Sequence, residues 1–362
     1  MALLESLECI EPEFDFVFVM PSYGPIIDRL KSVQPLGEVI IKDFRWWMSG
    51  KLPSFRFYKL RSLIRNAIAV WDLRKILKEC LISDVFSNTL VVPIGPILAR
   101  ILGVRHYWYI HEYGKEDHNL QFMYGTKLSY FFIKKWGGTV FTNSRTLSNY
   151  HSSYLKVDIP VVYYTVKTPQ IEKAEGFFYD SHVLRLILYG RIVPSKGQKL
   201  ALEALLLLKR SGYNNVRLTI MGSIDDMKYF NEIAEYAKSV EIDSLVRFIP
   251  HENQPFHEVC KHDVVLNCSK REAFGRINIE SMKLGLLILA TESGSSTELI
   301  RHNMTGYIYK ANAASLAESV EKIINSPKES LLKIVTNGRK YAHSEFSVIN
   351  HKISLLSILS NV

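Results

Sequence analysis

Short apolar runs rich in β-branched residues alternate with amphipathic segments along most of this chain, and the alternation confines it to an α/β architecture. Strand, helix and strand in succession are the sequence form of a parallel sheet with crossover helices. In the first half the runs that read as strands are Phe16–Met20, Glu38–Ile41, Asp84–Ser87, Tyr107–His111, Thr139–Thr142 and Val161–Tyr164. In the second half they are Leu184–Gly190, Val216–Met221, Val246–Ile249, Val264–Asn267 and Leu287–Ala290. Helices are expected between them, among them Arg61–Glu79, Lys199–Arg210 and Asp226–Lys238. Ligands in such sheets bind beyond the carboxyl ends of the strands.

At 362 residues the chain suits two domains better than one. The polar stretch from Thr165 to Ser181 has little apolar periodicity, so we expect a first domain over 1–168, a linker over 169–181 and a second domain over 182–342. Residues 343–362 read as a C-terminal helix that packs back on the first domain. The composition, 47% hydrophobic and 22% charged, is that of a soluble globular protein. The most apolar stretch, Leu81 to Val104, is interrupted by Asp84, Asn88 and Arg100, so no spanning helix is expected. The start, Met1-Ala2-Leu3-Leu4-Glu5, lacks the basic region and long apolar core of a signal peptide. Cys9, Cys80, Cys260 and Cys268 are scattered without metal-like pairing, which points to a reducing cytoplasm.

The net charge of +9 is uneven. From Lys42 to Lys78 ten basic residues face only Asp43 and Asp72, so this segment alone contributes +8. Such a cluster suggests an anionic partner. It contains Phe44-Arg45-Trp46-Trp47-Met48 and Phe55-Arg56-Phe57-Tyr58, followed by the amphipathic Arg61–Glu79. Aromatics among cations suit a membrane interface, and peripheral membrane contact through 42–79 is the expectation. An ordinary helix with a solvated charged face is the rival. No zinc knuckle, RNA-binding signature or basic tail is found, so no nucleic-acid partner is expected.

Three loops could carry chemistry. The strand Leu184–Leu188 runs into Tyr189-Gly190-Arg191-Ile192-Val193-Pro194-Ser195-Lys196-Gly197 and then a helix. Arg191 can grip phosphate oxygens in a fork, and Lys196 can act as a point charge. In Arg271-Glu272-Ala273-Phe274-Gly275-Arg276-Ile277-Asn278-Ile279-Glu280, two carboxylates flank a Phe-Gly turn that opens a helix. Backbone N–H groups at such a helix start suit an anion. Further on, Thr291-Glu292-Ser293-Gly294-Ser295-Ser296-Thr297-Glu298 is another loop opening a helix, with Ser295 and Glu298 at capping-box spacing. No Gly-x-Gly-x-x-Gly occurs, which argues against a dehydrogenase.

Gly190-Arg191 to Lys196-Gly197, Glu272-x7-Glu280 around Phe274-Gly275, and Gly294-x3-Glu298 together resemble the C-terminal domain of retaining glycosyltransferases of family 4. The resemblance implies the GT-B fold, two Rossmann-like α/β domains facing across a cleft, the first on the acceptor side and the second binding a nucleotide sugar. It implies that Arg191 and Lys196 hold the diphosphate of a UDP- or GDP-linked donor. Glu272 would bond the transferred sugar, Glu280 the ribose, and the backbone of Phe274, Gly275 and Arg276 would lie against phosphate and sugar. It further implies a glycan or lipid-linked glycan acceptor, bacterial surface polysaccharide synthesis, and action in the cytoplasm or on the inner face of the plasma membrane. The family uses no metal and no further cofactor, and no Asp-x-Asp motif is present. The cluster His106, His111, Glu112, Asp117 and His118 lacks a metal-site spacing.

His111 ends the strand Tyr107–Ile110, where a family histidine approaches the donor sugar; a satisfied structural histidine is the other reading. Phe141-Thr142-Asn143-Ser144-Arg145 resembles an architectural family turn from strand to helix. One departure stands out. Family members open with a strand and a glycine-rich loop, whereas Met1 to Leu7 reads as the helix that follows that strand. Pro21-Ser22-Tyr23-Gly24-Pro25 resembles a later element. A first domain lacking its first strand leaves a second reading: a non-catalytic GT-B-like protein that binds a nucleotide or a partner.

Overall fold

Parallel strands buried on both faces read as apolar runs, and those of the second half do apart from Arg185, Arg217 and Arg247, each exposed at the second position of its strand. The computed structural model describes residues 2–10, 13–33, 38–50, 56–171, 183–250, 252 and 254–360. It divides into two units, residues 1–165 with 348–362, and residues 166–347. The first division falls at Thr165/Val166. Residues 343–347 belong to unit 2, and only the helix Val348–Ser360 lies in unit 1. Of the expected linker, 169–171 carry no helix or strand, and the rest lies outside the described residues.

Unit 1 contains β1 (Val17–Met20), β2 (Glu38–Ile41), β3 (Met48–Ser49), β4 (Asp84–Ser87), β5 (Arg105–Ile110), β6 (Gln121–Phe122) and β7 (Thr139–Thr142). β1 and β2 pair in parallel, β4, β5 and β7 form a separate parallel sheet in that order, and β3 pairs with β6 antiparallel. Among the described residues, no strand joins the β1–β2 pair to the edge of β4. The expected strand Val161–Tyr164 is corrected to a single parallel bridge between Val161 and Thr142. The tyrosines there serve as side-chain and carbonyl partners instead: Tyr164 bonds His111, and the carbonyl of Tyr163 accepts from His351. β3 and β6 are too short to show a period of two in sequence.

In unit 2, β8 (Leu184–Tyr189), β9 (Val216–Gly222), β10 (Val246–Pro250), β11 (Val264–Asn267), β12 (Leu287–Thr291) and β13 (Tyr307–Tyr309) form one parallel sheet. Its order is β10-β9-β8-β11-β12-β13. Winding starts at β8, proceeds outward to β10, returns to the other side of β8 at β11 and continues to β13. This is the doubly wound order, and the direction of winding, not of the strands, reverses between β8 and β11. Two loops therefore leave adjacent strand ends in opposite directions, opening a crevice there.

Candidate functional site at the switch point of unit 2

The loop after β8 holds Gly190, Arg191 and Lys196, and the loop after β11 holds Glu272, Phe274 and Gly275. β8 and β11 are neighbours, with Val264 opposite Leu186, so sheet order brings together residues 76 or more positions apart in sequence. The loops are tied to one another by a bond from the Lys270 N–H to the Ser195 carbonyl at 2.9 Å. Gly197 has φ +73°, and a Cβ there would stand 2.1 Å from the Cys268 carbonyl oxygen. Only glycine allows that approach.

The Lys196 ammonium donates to Glu272 Oε2 at 2.7 Å, and both side chains are largely shielded from solvent. Arg191 is exposed, with Nη1 3.7 Å from Asp225 Oδ2, and its carbonyl is held by the buried Gln198 amide at 2.9 Å. The Tyr189 hydroxyl donates to Glu280 Oε2 at 3.1 Å, and Arg276 Nε lies 3.4 Å from Glu280 Oε1. Burial and the adjacent Glu280 carboxylate hold the Tyr189 phenol well above its ordinary value, so it stays a donor. Gly275 is the N-cap of helix Arg276–Lys283 and supplies no side-chain cap. The start of that helix has the positive end of its dipole at the switch point. The Phe274 ring turns into the core against Phe346, centroids 6.0 Å apart, leaving its backbone beside the loop.

The loop after β12 completes the arrangement. The Ser295 N–H donates to the Glu272 carbonyl at 3.0 Å, and Gly294 packs on the Glu272 backbone. Helix Ser296–Leu299 follows Ser295, but the expected capping box is corrected: Ser295 Oγ makes no cap bond and is buried without a partner. The Ser295 N–H that a reciprocal box would need is already given to Glu272, and Glu298 sits half-buried. Sequence reasoning missed what holds these loops. Asn267 Nδ2 donates to Asn278 Oδ1 at 2.8 Å, Asn278 Nδ2 donates to Ser296 Oγ at 3.3 Å, and Thr291 Oγ1 donates to the Ser269 carbonyl at 2.9 Å. An Asn ending an all-apolar strand was the available signal.

His111, in unit 1, is half-buried with both ring nitrogens engaged. Nε2 donates to Asn88 Oδ1 at 2.7 Å, and Nδ1 accepts from the Tyr164 hydroxyl. Four more histidines also have both ring nitrogens engaged, but with one on a backbone carbonyl and the other on a hydroxyl: His106, His151, His262 and His351. Burial lowers all five, His111 to about 3 and both His106 and His151 to about 4. Glu112 next door accepts from the backbone N–H groups of Leu90 and His111. Among the described residues, no group of three or more His, Cys, Asp or Glu could hold an ion.

Chains of known structure share this fold. Anabaena HepE, solved in complex with UDP and glucose, superposes with a TM-score of 0.77 at 16% identity, covering 100% of this chain and 95% of that one. A glycosyltransferase from Rickettsia africae gives a TM-score of 0.79 at 18% identity with the same coverage. The fold is GT-B, built from two Rossmann-like units. Residues 175–341 match the protein family described as Glycosyl transferases group 1. The capsular polysaccharide biosynthesis glycosyltransferase CapM of Staphylococcus aureus is 29% identical over 178 residues. That alignment covers 49% of this chain and 45% of CapM.

Proposed function

We propose that the chain is a retaining, metal-independent glycosyltransferase. It moves a sugar from a UDP- or GDP-linked donor to a glycan or lipid-linked glycan in bacterial surface polysaccharide synthesis. The observation that carries this is the convergence of Lys196, Glu272 and the helix start at Gly275 on one switch point, with Arg191 on the same loop as Lys196. Two cations and a helix N-terminus suit a diphosphate, and a carboxylate beside them suits sugar hydroxyls. HepE, of the same fold, is described with UDP and glucose bound.

In this reading Arg191 and Lys196 hold the diphosphate, Glu272 bonds the sugar and Glu280 bonds the ribose. Gly190, Phe274, Gly275, Arg276, Ser295 and Glu298 shape the surrounding loops. The acceptor hydroxyl attacks the face that the diphosphate leaves. The anomeric carbon–phosphate oxygen bond breaks, the bond to the acceptor oxygen forms, and the departing phosphate takes the proton. Cations and backbone donors stabilise the charge developing on that oxygen. Lys196 is shared between Glu272 and the donor, which couples phosphate binding to the carboxylate's orientation. The enzyme works in the cytoplasm against the inner face of the plasma membrane, touching it through residues 42–79.

The test is thermal unfolding with UDP, GDP, ADP or CMP, beside an Arg191→Ala/Lys196→Ala variant. Ligand at about 100 times its Kd adds about 2.7 kcal/mol of stability. One nucleotide should raise the melting temperature and lose its effect in the variant; no shift with any of them sinks the reading. The anomeric configuration of the product, read by NMR, then tests retention.

The separation of the β1–β2 pair from β4 favours a second reading, a non-catalytic GT-B-like protein that binds a nucleotide or a partner. A nucleotide-induced shift without transfer to any acceptor supports it, and turnover eliminates it.

A further inference from the structure

The 24-residue helix Arg56–Glu79 is apolar on two opposite faces. One face is buried: Ala69, Val70, Leu73 and Leu77 pack with Ile40, Phe44, Ile94 and Leu98. Asn66 fixes that face by bonding both the N–H and the carbonyl of Arg45, at 2.7 and 3.0 Å. The other face turns Phe57, Leu60, Ile64, Ile68 and Trp71 to solvent, each more than half exposed and Phe57 81% exposed. Their spacing of three and four residues makes one continuous row, roughly 21 Å long at 1.5 Å per residue. The sequence expectation of an amphipathic helix is thereby corrected, because the solvated face carries an apolar row among its charges.

Cations border the row. Arg61 lies beside it, Arg74 stacks over the Trp71 ring at 4.1 Å, and Lys75 and Lys78 extend it toward the C-terminal end. Over the same helix the only acidic residues are Asp72, which is paired with Lys42, and Glu79. Exposed apolar rows of this extent mark interaction surfaces. A second copy docking through the same face would bring Arg61, Arg74, Lys75 and Lys78 of both chains together. An anionic surface with an apolar interior matches both features at once. Among the described residues, no helix is long and apolar enough to cross a membrane, so the fit is to a helix lying in the interface plane.

We propose that the outward face of Arg56–Glu79 lies in the interfacial plane of an anionic lipid bilayer, with Phe57, Leu60, Ile64, Ile68 and Trp71 among the acyl chains. The arginines and lysines around them sit at headgroup level. The proposal rests on the lipid-linked acceptor reading for its purpose, but the binding is independent of transfer.

The experiment is co-sedimentation of the full chain with phosphatidylcholine vesicles, with and without phosphatidylglycerol. The native chain should partition onto the phosphatidylglycerol vesicles and lose that binding in high salt. Leu60→Ser/Ile64→Ser/Ile68→Ser changes only exposed positions and should reduce partitioning at least about tenfold. Lys75→Gln/Lys78→Gln should reduce it about 25-fold, from about 1 kcal/mol per basic residue near the surface. Circular dichroism and the nucleotide-induced melting shift report on folding and on unit 2 separately in both variants. The proposal falls if the native chain ignores both vesicles, or if the triple serine variant binds like the native chain. It falls equally if sedimentation velocity shows a dimer that this variant dissolves. A chain that binds vesicles but answers to no nucleotide keeps this proposal and loses the functional one.

Discussion

Gly294 and Glu272 are in backbone contact: a Cβ on Gly294 would stand 2.1 Å from the Glu272 carbonyl oxygen and 2.6 Å from its nitrogen. The loop after β12 is thus a buttress for the carboxylate proposed to hold the sugar. Gly294 also has φ +55°, where an L side chain is disfavoured. Gly294→Ala should cost roughly 2–4 kcal/mol and weaken nucleotide binding through the displaced Glu272 loop. Urea unfolding with and without nucleotide checks both; unchanged binding would mean the loops move independently.

Glu272→Gln keeps the shape of the side chain but removes the charge that faces Lys196 at 2.7 Å. If Glu272 serves the sugar, the nucleotide-induced melting shift should persist while transfer falls at least about 100-fold. Turnover near the native rate sinks the assigned role.

Asn278 is wholly buried, accepting from Asn267 and donating to Ser296. Asn278→Ala strands the Asn267 amide in the core and should cost about 1–3 kcal/mol. Asn278→Asp keeps the acceptor but forces a charge into that site, so it should be no less damaging. Denaturant midpoints order the three proteins.

Acid should destabilise unit 1 well above the carboxylate range. His106 and His151 bind protons in the folded state only near pH 4, whereas the unfolded chain binds them near 6.5. The unfolded state therefore holds more protons between those values, and stability falls as pH falls from 6.5 toward 4. Each buried imidazole removes up to about 1.4 kcal/mol per pH unit in that window. Histidine resonances followed by NMR should show both rings neutral at pH 5, and denaturant midpoints should drop from pH 7 to pH 5. A flat stability profile over that range contradicts the neutral tautomers.

Most strands were legible because an all-apolar run between glycines and polar loops has few other uses. β11 lies where its sequence places it, and β8 and β12 differ by one residue at an end. β13 was not legible: Tyr307–Tyr309 is three residues long, too few for any period to appear. The capping box at Ser295 failed for a different reason. Local spacing matched the motif, but the Ser295 N–H is drawn to the Glu272 carbonyl and its hydroxyl is buried.

Which residues could serve a diphosphate and a sugar is written locally, since Arg191, Lys196, Glu272 and the helix start at Gly275 follow strand signals in the chain. Tertiary structure alone decided that they meet. Strand order in unit 2 depends on right-handed crossovers and on pairing partners far apart in the chain, and it sets β8 beside β11 rather than β10. It also decided which face of Arg56–Glu79 is solvated. A helix apolar on two sides carries no local mark of which side its neighbours will cover. Here Ile40, Phe44, Ile94 and Leu98 cover one and leave the row from Phe57 to Trp71 outside.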